Sequence, residues 1–354
     1  MKAALVKSEE RFLAFKKTLE DFGVELIVLD FSDHQWIEYD YSNVDFLIYY
    51  PSFKFTSNYP LALYEVHDNL KYIRSLYPKM KMYPDPEIID YYNDKYKQYL
   101  FLKKANFPIP LTFPLFSEAS VRLASRKLGY PIVVKNRYGA GGGSVYKVRT
   151  EKELWKFYKL STFNLFNIDS LRFLGGLVNK RAFYYQLIKR KKMPYPFLST
   201  PLLAQEFVKM DRDLKTVVGN YKVIEAHWRI QANRAQWKVN IDGGGIGEWS
   251  RIPEGAIDLS EKLARDLKAS WINVDIIPSD GGYLITEFSP VWHHYAYKEK
   301  PSFLYKDDYN IDMPLKISLD LERIIVESLM RAVKASGCEC SGEKVREGRE
   351  GLPV

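Results

Sequence analysis

Short apolar runs recur through the first eighty-five residues, separated by a segment whose apolar positions return every three or four residues. Lys2 to Val6, Val24 to Leu29 and Asp45 to Tyr49 read as strands, and Glu9 to Phe22 reads as an amphipathic helix stopped by Gly23. Strands alternating with helices predict a small parallel α/β unit. The first strand runs into KSEERF, which lacks the glycine fingerprint of a dinucleotide domain.

The pattern changes at YPDPEIIDYYNDKYKQYLFLKKANFPIPLTFP. Pro84 and Pro86 break the chain, and Asn93 or Asp94 can cap a helix from Lys95 to about Asn106. FPIPLTFP ends that helix in extended form, and a second helix runs from Glu118 to Leu128, closed by Gly129. Residues 151–200 carry no clean period and hold the basic-aromatic stretch NKRAFYYQLIKRKKMPYPF. Strand patterns return in LLAQEFVKM, DLKTVVGNYKVIEAHWRI, AQWKVNIDGGG and WINVDIIPSDGGYLITEFSP, with a helix expected over Ser260 to Ser270 and another from Ile317 to Lys334. The expected divisions are 1–83, 84–204, 205–336 and a disordered tail at 337–354.

Composition narrows the class. With 46% hydrophobic and 27% charged residues, the 354-residue chain has the make-up of a soluble globular protein. No run approaches the roughly 18 apolar residues of a membrane span, and MKAALVKSEERF reads as a first strand rather than a signal peptide. Cys338 and Cys340 alone make neither a zinc site nor a disulfide framework, so a reducing cytoplasm is expected. The net charge of +8 suits an anionic ligand such as a nucleotide. No nucleic-acid motif accompanies it, so no nucleic-acid partner is expected.

The stretch PIVVKNRYGAGGGSVYKV, residues 131–148, raises a chemical question. A strand ends on Lys135, and a glycine cluster leads into a second strand. Bare glycine backbone can approach a phosphate closely. A P-loop, however, puts its lysine after the glycines, and a kinase loop puts its glycines before the strand lysine. What remains is a hairpin with a glycine tip and a lysine on its first strand; a plain hairpin with a solvated lysine fits the same letters.

Other features follow in order: Lys95 at a helix start, the strand LLAQEFV, and a hairpin bearing Asp275 and Glu287. Two carboxylates facing each other on adjacent strands need a cation between them, and magnesium shared with phosphates suits such oxygen ligands. The succession DK, PIVVK with its glycine loop, QEF, DLKTVVG, WKVNIDGGG and VDII…YLITEFSP resembles the ATP-grasp superfamily, most closely its RimK-type carboxylate–amine ligases. The resemblance covers about residues 84–295. It implies an α/β (α+β) ATP-grasp fold, with nucleotide held between two α+β subdomains after the small parallel domain.

The resemblance also implies roles. Lys95 and Lys135 would hold the α- and β-phosphates, with Gly141, Gly142 and Gly143 in a closing flap. Gln205, Glu206, Phe207 and Val208 would form the hinge that reads adenine, and Asp213 and Lys215 would face the nucleotide. Arg229 and Lys238 would stabilise the transferring phosphoryl group, with Asn240 meeting metal or substrate. Asp275 and Glu287 would bind magnesium, with manganese as a substitute, but Ser289 stands in EFSP where the family has asparagine. A hydroxyl is a weaker metal ligand, which bears on how many ions bind. His293 and His294 lack helical metal spacing and fit an acceptor pocket or the surface. The insert around Lys180 to Lys192 fits a solvated helix, an anionic substrate or a membrane surface.

The implied reaction joins a small-molecule or peptide carboxylate to an amine through an acyl phosphate, with release of ADP and phosphate. A kinase acting on a hydroxyl and a nucleotide-binding module with little turnover are the alternatives. A homo-oligomer is compatible with all three.

Overall fold

The computed structural model describes residues 1–8, 11–50, 61–139, 142, 145–162, 201–231, 237–239, 245–248, 250, 252–291, 302–304, 315–317 and 320–342. These fall into two compact units, 1–89 with 319–354, and 90–318.

The first unit is built on β1 (Lys2–Val6), α1 (Phe12–Asp21), β2 (Glu25–Leu29), the short α2 (Gln35–Glu38), β3 (Phe46–Ile48), α3 (Leu61–Leu76) and β4 (Lys81–Tyr83). The strands form a sheet of order β2-β1-β3-β4, parallel throughout. Ala3 to Val6 and Phe46 to Ile48 are buried on both faces, as a parallel sheet covered by helices requires. The C-terminal helix, Leu321–Gly342, belongs to this unit; it buries Ile325 and Val326, and its Glu322 accepts a 2.5 Å ion-paired bond from Arg11. It begins at Leu321 rather than at the expected Ile317, which instead ends a strand, Leu315–Ile317. Residues 343–354 lie outside the described residues.

The second unit opens with α4 (Lys95–Lys104), whose N-cap Asp94 accepts from the backbone N–H groups of Tyr96 and Lys97. It continues through β5 (Thr112–Leu115), α5 (Glu118–Leu128), β6 (Ile132–Lys135), β7 (Val145–Val148), α6 (Glu151–Ser161) and β8 (Leu202–Glu206). Gly129 at φ 65° ends α5, a backbone position that glycine occupies without strain. The small antiparallel sheet has the order β5-β8-β6-β7. One face, with Ile132, Val134, Val148 and Ala204, forms a core with Val121 and Ala124 of α5 and Leu154 of α6. Strand alternation therefore turns Val133 and Lys135 to the opposite face.

The large sheet follows: β9 (Arg212–Gly219), β10 (Lys222–Ile230), β11 (Ile246–Glu248), α7 (Glu254–Leu267), β12 (Trp271–Ser279) and β13 (Gly282–Ser289), in order β11-β10-β9-β12-β13. The expected strand around Trp237 to Val239 is absent there, since these three residues are irregular and the edge strand lies later, at Ile246–Glu248. Helix α7 starts earlier than its apolar period suggests, directly after Pro253, with Glu254 in the first turn. It covers one face of the sheet, where Ser260 bonds Thr216 and Glu261 accepts from Val223 N–H. Alternation along β9 then turns Asp213, Lys215 and Val217 to the other face. A small hairpin, β14 (Ser302–Leu304) with β15 (Leu315–Ile317), completes the described elements.

Close packing fixes the end of β9. A Cβ on Gly219 would lie 2.7 Å from the Trp271 ring, a buried side chain paired with it across the strands. Gly219→Ala should therefore cost about 1–3 kcal/mol, seen as a lower urea midpoint. An unchanged midpoint would contradict this packing.

Candidate functional site

Period-two strands in matched register assemble the charged residues of the large sheet. Arg229 stands opposite Asp213, Lys215 opposite Asp275, and Asp275 opposite Glu287. These five residues thus lie in adjacent positions across β10, β9, β12 and β13. Arg229 donates from Nε and Nη2 to the two Asp213 oxygens at 2.6 and 2.7 Å, and Nη2 also reaches Asp275 Oδ2 at 3.1 Å. Lys215 Nζ lies 3.2 Å from Asp275 Oδ1. Burial alone would push the Asp275 carboxyl up, but Arg229 and Lys215 hold it well below the usual carboxylate range.

A β-bulge interrupts β13 beside this row. Asp275 pairs with Glu287 but Ile276 with Ile285, so Thr286 is the extra residue. Its hydroxyl donates to the Asp275 carbonyl at 3.1 Å, and its own carbonyl accepts from Lys135 Nζ at 3.3 Å. The Lys135 side chain thus reaches from the small sheet to the large one.

The two sequence-predicted lysines are both buried, Lys95 to 4% exposure and Lys135 to 8%. Lys95 Nζ sits 3.2 Å from Glu287 Oε1 and donates to the Gly139 carbonyl. Its backbone is anchored too: Lys95 N–H donates to Arg137 O, and Arg137 forms a forked pair with Asp94 at 2.7–3.0 Å. Among the described residues no carboxylate comes within ion-pair distance of Lys135. Burial pushes its ammonium down to about 8; Glu287 opposes the shift and the Lys95 charge adds to it. Four cations therefore face three carboxylates in this cluster, and Lys135 is the one left over.

Around the lysines runs a cleft lined by Gln98, Thr112, Leu203, Gln205, Ile285 and Thr286, with a free volume of about 20 Å³. That is room for roughly one water, so a nucleotide would have to part the two sheets. Gln205 donates to Thr112 Oγ1 at 2.9 Å, and Glu206 accepts from Leu111 N–H at 2.7 Å. Phe207 lies under Lys147 Nζ, 3.7 Å from its ring centre, and Val208 is half-buried beyond it. Lys238 Nζ donates to the Gly142 carbonyl at 2.6 Å, tying the glycine loop to the segment after β10. Ser289 is committed to a turn, its hydroxyl bonding Val291 at 3.2 Å. Gly141, Gly143, Asn240, His293, His294 and the insert around Lys180 to Lys192 lie outside the described residues. Reading from sequence passed over Thr286, Arg137, Gln98 and Lys147. Each lies close to a residue that was read: Thr286 beside Glu287, Arg137 and Lys147 within the stretch 131–148, and Gln98 one turn after Lys95.

The donor set fits magnesium in one way. Asp275 and Glu287 stand directly opposite and offer only oxygen, and the described residues contain no group of three or more acidic, histidine or cysteine side chains to complete a protein cage. An ion there would be shared with phosphate oxygens.

The comparisons agree with this architecture. Residues 92–165 match the profile of the ATP-grasp domain and residues 185–292 that of the RimK-like ATP-grasp domain. The chain is 25% identical over 191 residues to the alpha-aminoadipate–LysW ligase LysX of Saccharolobus solfataricus, spanning 54% of this chain and 58% of that relative's length. Its fold is similar to D-alanine–D-alanine ligase from Bacillus anthracis complexed with ATP, with a TM-score of 0.59 and 14% identity over 95% of this chain and 99% of that one. It is also similar to the ATP-grasp ligase PsnB complexed with a minimal precursor, Mg and ADP, with a TM-score of 0.56 and 14% identity over 94% and 98%. No described helix is long and apolar enough to cross a membrane.

Arg229 is the guanidinium shared by buried Asp213 and half-buried Asp275. Arg229→Met should cost about 3–5 kcal/mol near neutral pH, since it leaves buried Asp213 without its ion-pair partner and leaves Asp275 only Lys215. In the native protein the depressed Asp275 contributes stability above the ordinary carboxylate pKa and loses it as pH falls. In the variant Asp213, already raised by burial, would lose the Arg229 charge that opposes that rise and titrate higher still, so the deficit should narrow as pH falls toward about 4. Urea melts at pH 4 and pH 8 check this; an equal deficit at both would contradict it.

Proposed function

We propose, from the chain's membership of the ATP-grasp superfamily, that it is an ATP-dependent carboxylate–amine ligase. The observation that carries this reading is the buried cleft with one cation more than its carboxylates, two of which stand opposite each other. Such a cleft attracts a polyphosphate and offers oxygen ligands for the ion that travels with it.

Lys135 and Lys95 would hold phosphate oxygens, since ammonium groups in a partly dry cleft bind anions far more strongly than in water. Binding would draw Lys95 from Glu287, freeing that carboxylate. Asp275 and Glu287 would hold magnesium, which when bound neutralises the β- and γ-phosphate oxygens. The substrate carboxylate attacks the γ-phosphorus, breaking the bond to the β–γ bridging oxygen, and yields an acyl phosphate and ADP. Arg229, and Lys238 beside the glycine loop, would offset the charge spread over the transferring group. An amine then adds to the acyl carbon, and the tetrahedral intermediate expels phosphate to leave an amide. Both steps need positioning and charge rather than a protein nucleophile.

An acyl phosphate can be intercepted. With ATP, magnesium, a panel of carboxylates and hydroxylamine, turnover should give a hydroxamate together with ADP. ADP and a stable phosphoester without hydroxamate would overturn the ligase reading in favour of a kinase. Neither product, from protein that binds ATP, would favour a binding module.

A further inference from the structure

The carboxylates of Asp275 and Glu287 do not stand alone on their face of the large sheet. Asn273 precedes Asp275 by two residues on β12, and Ser289 follows Glu287 by two on β13, so alternation turns all four side chains to one side. The register pairs Asn273 with Ser289 as it pairs Asp275 with Glu287. Four oxygen-bearing side chains thus form one block, spaced about 5 Å across the strands and about 7 Å along them.

The two added oxygens differ in what they already bind. Ser289 Oγ is taken by Val291, accepting from its N–H and donating to its carbonyl, each at 3.2 Å. Asn273 is 1% exposed, and its Nδ2 donates to the same carbonyl at 2.7 Å. A carbonyl only accepts, so the arm that meets it is the nitrogen and the other arm is the oxygen. That oxygen, Oδ1, is buried and meets no donor among the described residues. Its cross-strand neighbours give the reason: Val217 on β9 has no polar side-chain atom, and Ser289 gives its hydroxyl proton to Val291. The two arms of a carboxamide diverge, so the hold on Val291, beyond Ser289, turns the oxygen away from Val291. A buried acceptor without a donor costs free energy, and a hard cation relieves it as an N–H would.

We infer that Asn273 Oδ1 is a further protein ligand for the magnesium ion that Asp275 and Glu287 would hold. The family's asparagine is replaced by Ser289, and the carboxamide comes instead from the position directly across the strand pair. The inference rests on the ligase reading and deepens it, because the substitution at 289 then leaves the number of protein oxygens at the ion unchanged.

The test is a binding measurement and needs no turnover. Mn²⁺ is titrated into the full-length protein saturated with ADP, and bound ion is read from the loss of the free-ion EPR signal. Asn273→Ala should weaken Mn²⁺ binding about tenfold or more. Asn273→Thr, a strand former that can still donate to Val291, should show the same loss. ADP affinity without metal should stay within about twofold of the wild type in both. Adding Ser289→Asn to Asn273→Ala returns a carboxamide to β13 and should recover much of the lost Mn²⁺ affinity. Unchanged Mn²⁺ affinity in the Asn273 variants, or no recovery with Ser289→Asn, would overturn the inference. If Asp275→Asn abolishes Mn²⁺ binding while the Asn273 variants keep it, only this inference falls. A wild type that binds no Mn²⁺ with ADP would overturn the magnesium site as a whole, and the ligase reading itself stands or falls in the hydroxylamine assay.

Discussion

Burying an ammonium group without a counter-ion costs free energy, and much of the second unit is arranged around one such group. Lys135 ends a four-residue strand whose inward residues, Ile132 and Val134, are locked in the core beneath α5 and α6. That packing leaves the lysine no route to solvent on the core side, and alternation sends it toward the large sheet. There it meets a carbonyl freed by a bulge rather than a carboxylate. The acids that could neutralise it are taken: Asp213 and Asp275 by Arg229 and Lys215, Glu287 by Lys95. The residual positive charge is thus a product of register and packing together, and an arriving anion would relieve it.

The same network explains why the site can be both buried and stable. A row of charged side chains from four strands would be costly unless each met its partner, since a buried unpaired charge costs several kcal/mol. Pairing Arg229 with Asp213, and Lys215 with Asp275, satisfies the row across the strands. Asp94 and Arg137 do the same at the start of α4, fixing the helix that carries Lys95. Positions of charge are therefore set before any ligand arrives, which is what electrostatic preorganisation requires.

Much of this was legible in the sequence because it rests on local signals. The strand IVVK, the glycine-closed helix before it, the Asp94 cap and the Gly281-Gly282 hairpin all announce themselves within a few residues. Counting back from that turn sets Asp275 opposite Thr286, and it is the bulge at Thr286 that brings Glu287 into register with it. Less legible were features set by distant partners. The Arg229–Asp213 fork joins residues 16 apart across a hairpin, and Lys135 meets Thr286 only because of the bulge. The packing of the C-terminal helix into the unit of residues 1–89 leaves no local trace in its sequence.

If Lys135 carries the charge that binds polyphosphate, as proposed, its lowered pKa gives a direct measurement. Calorimetric titration with Mg·ATP at pH 7 and pH 9 should be run on the wild type and on Lys135→Met. With a pKa of about 8 the ammonium passes from mostly charged to mostly neutral across that interval. The wild type should therefore lose about tenfold in affinity that the weaker-binding variant does not lose. Equal affinities and equal pH dependence in the two proteins would contradict the account.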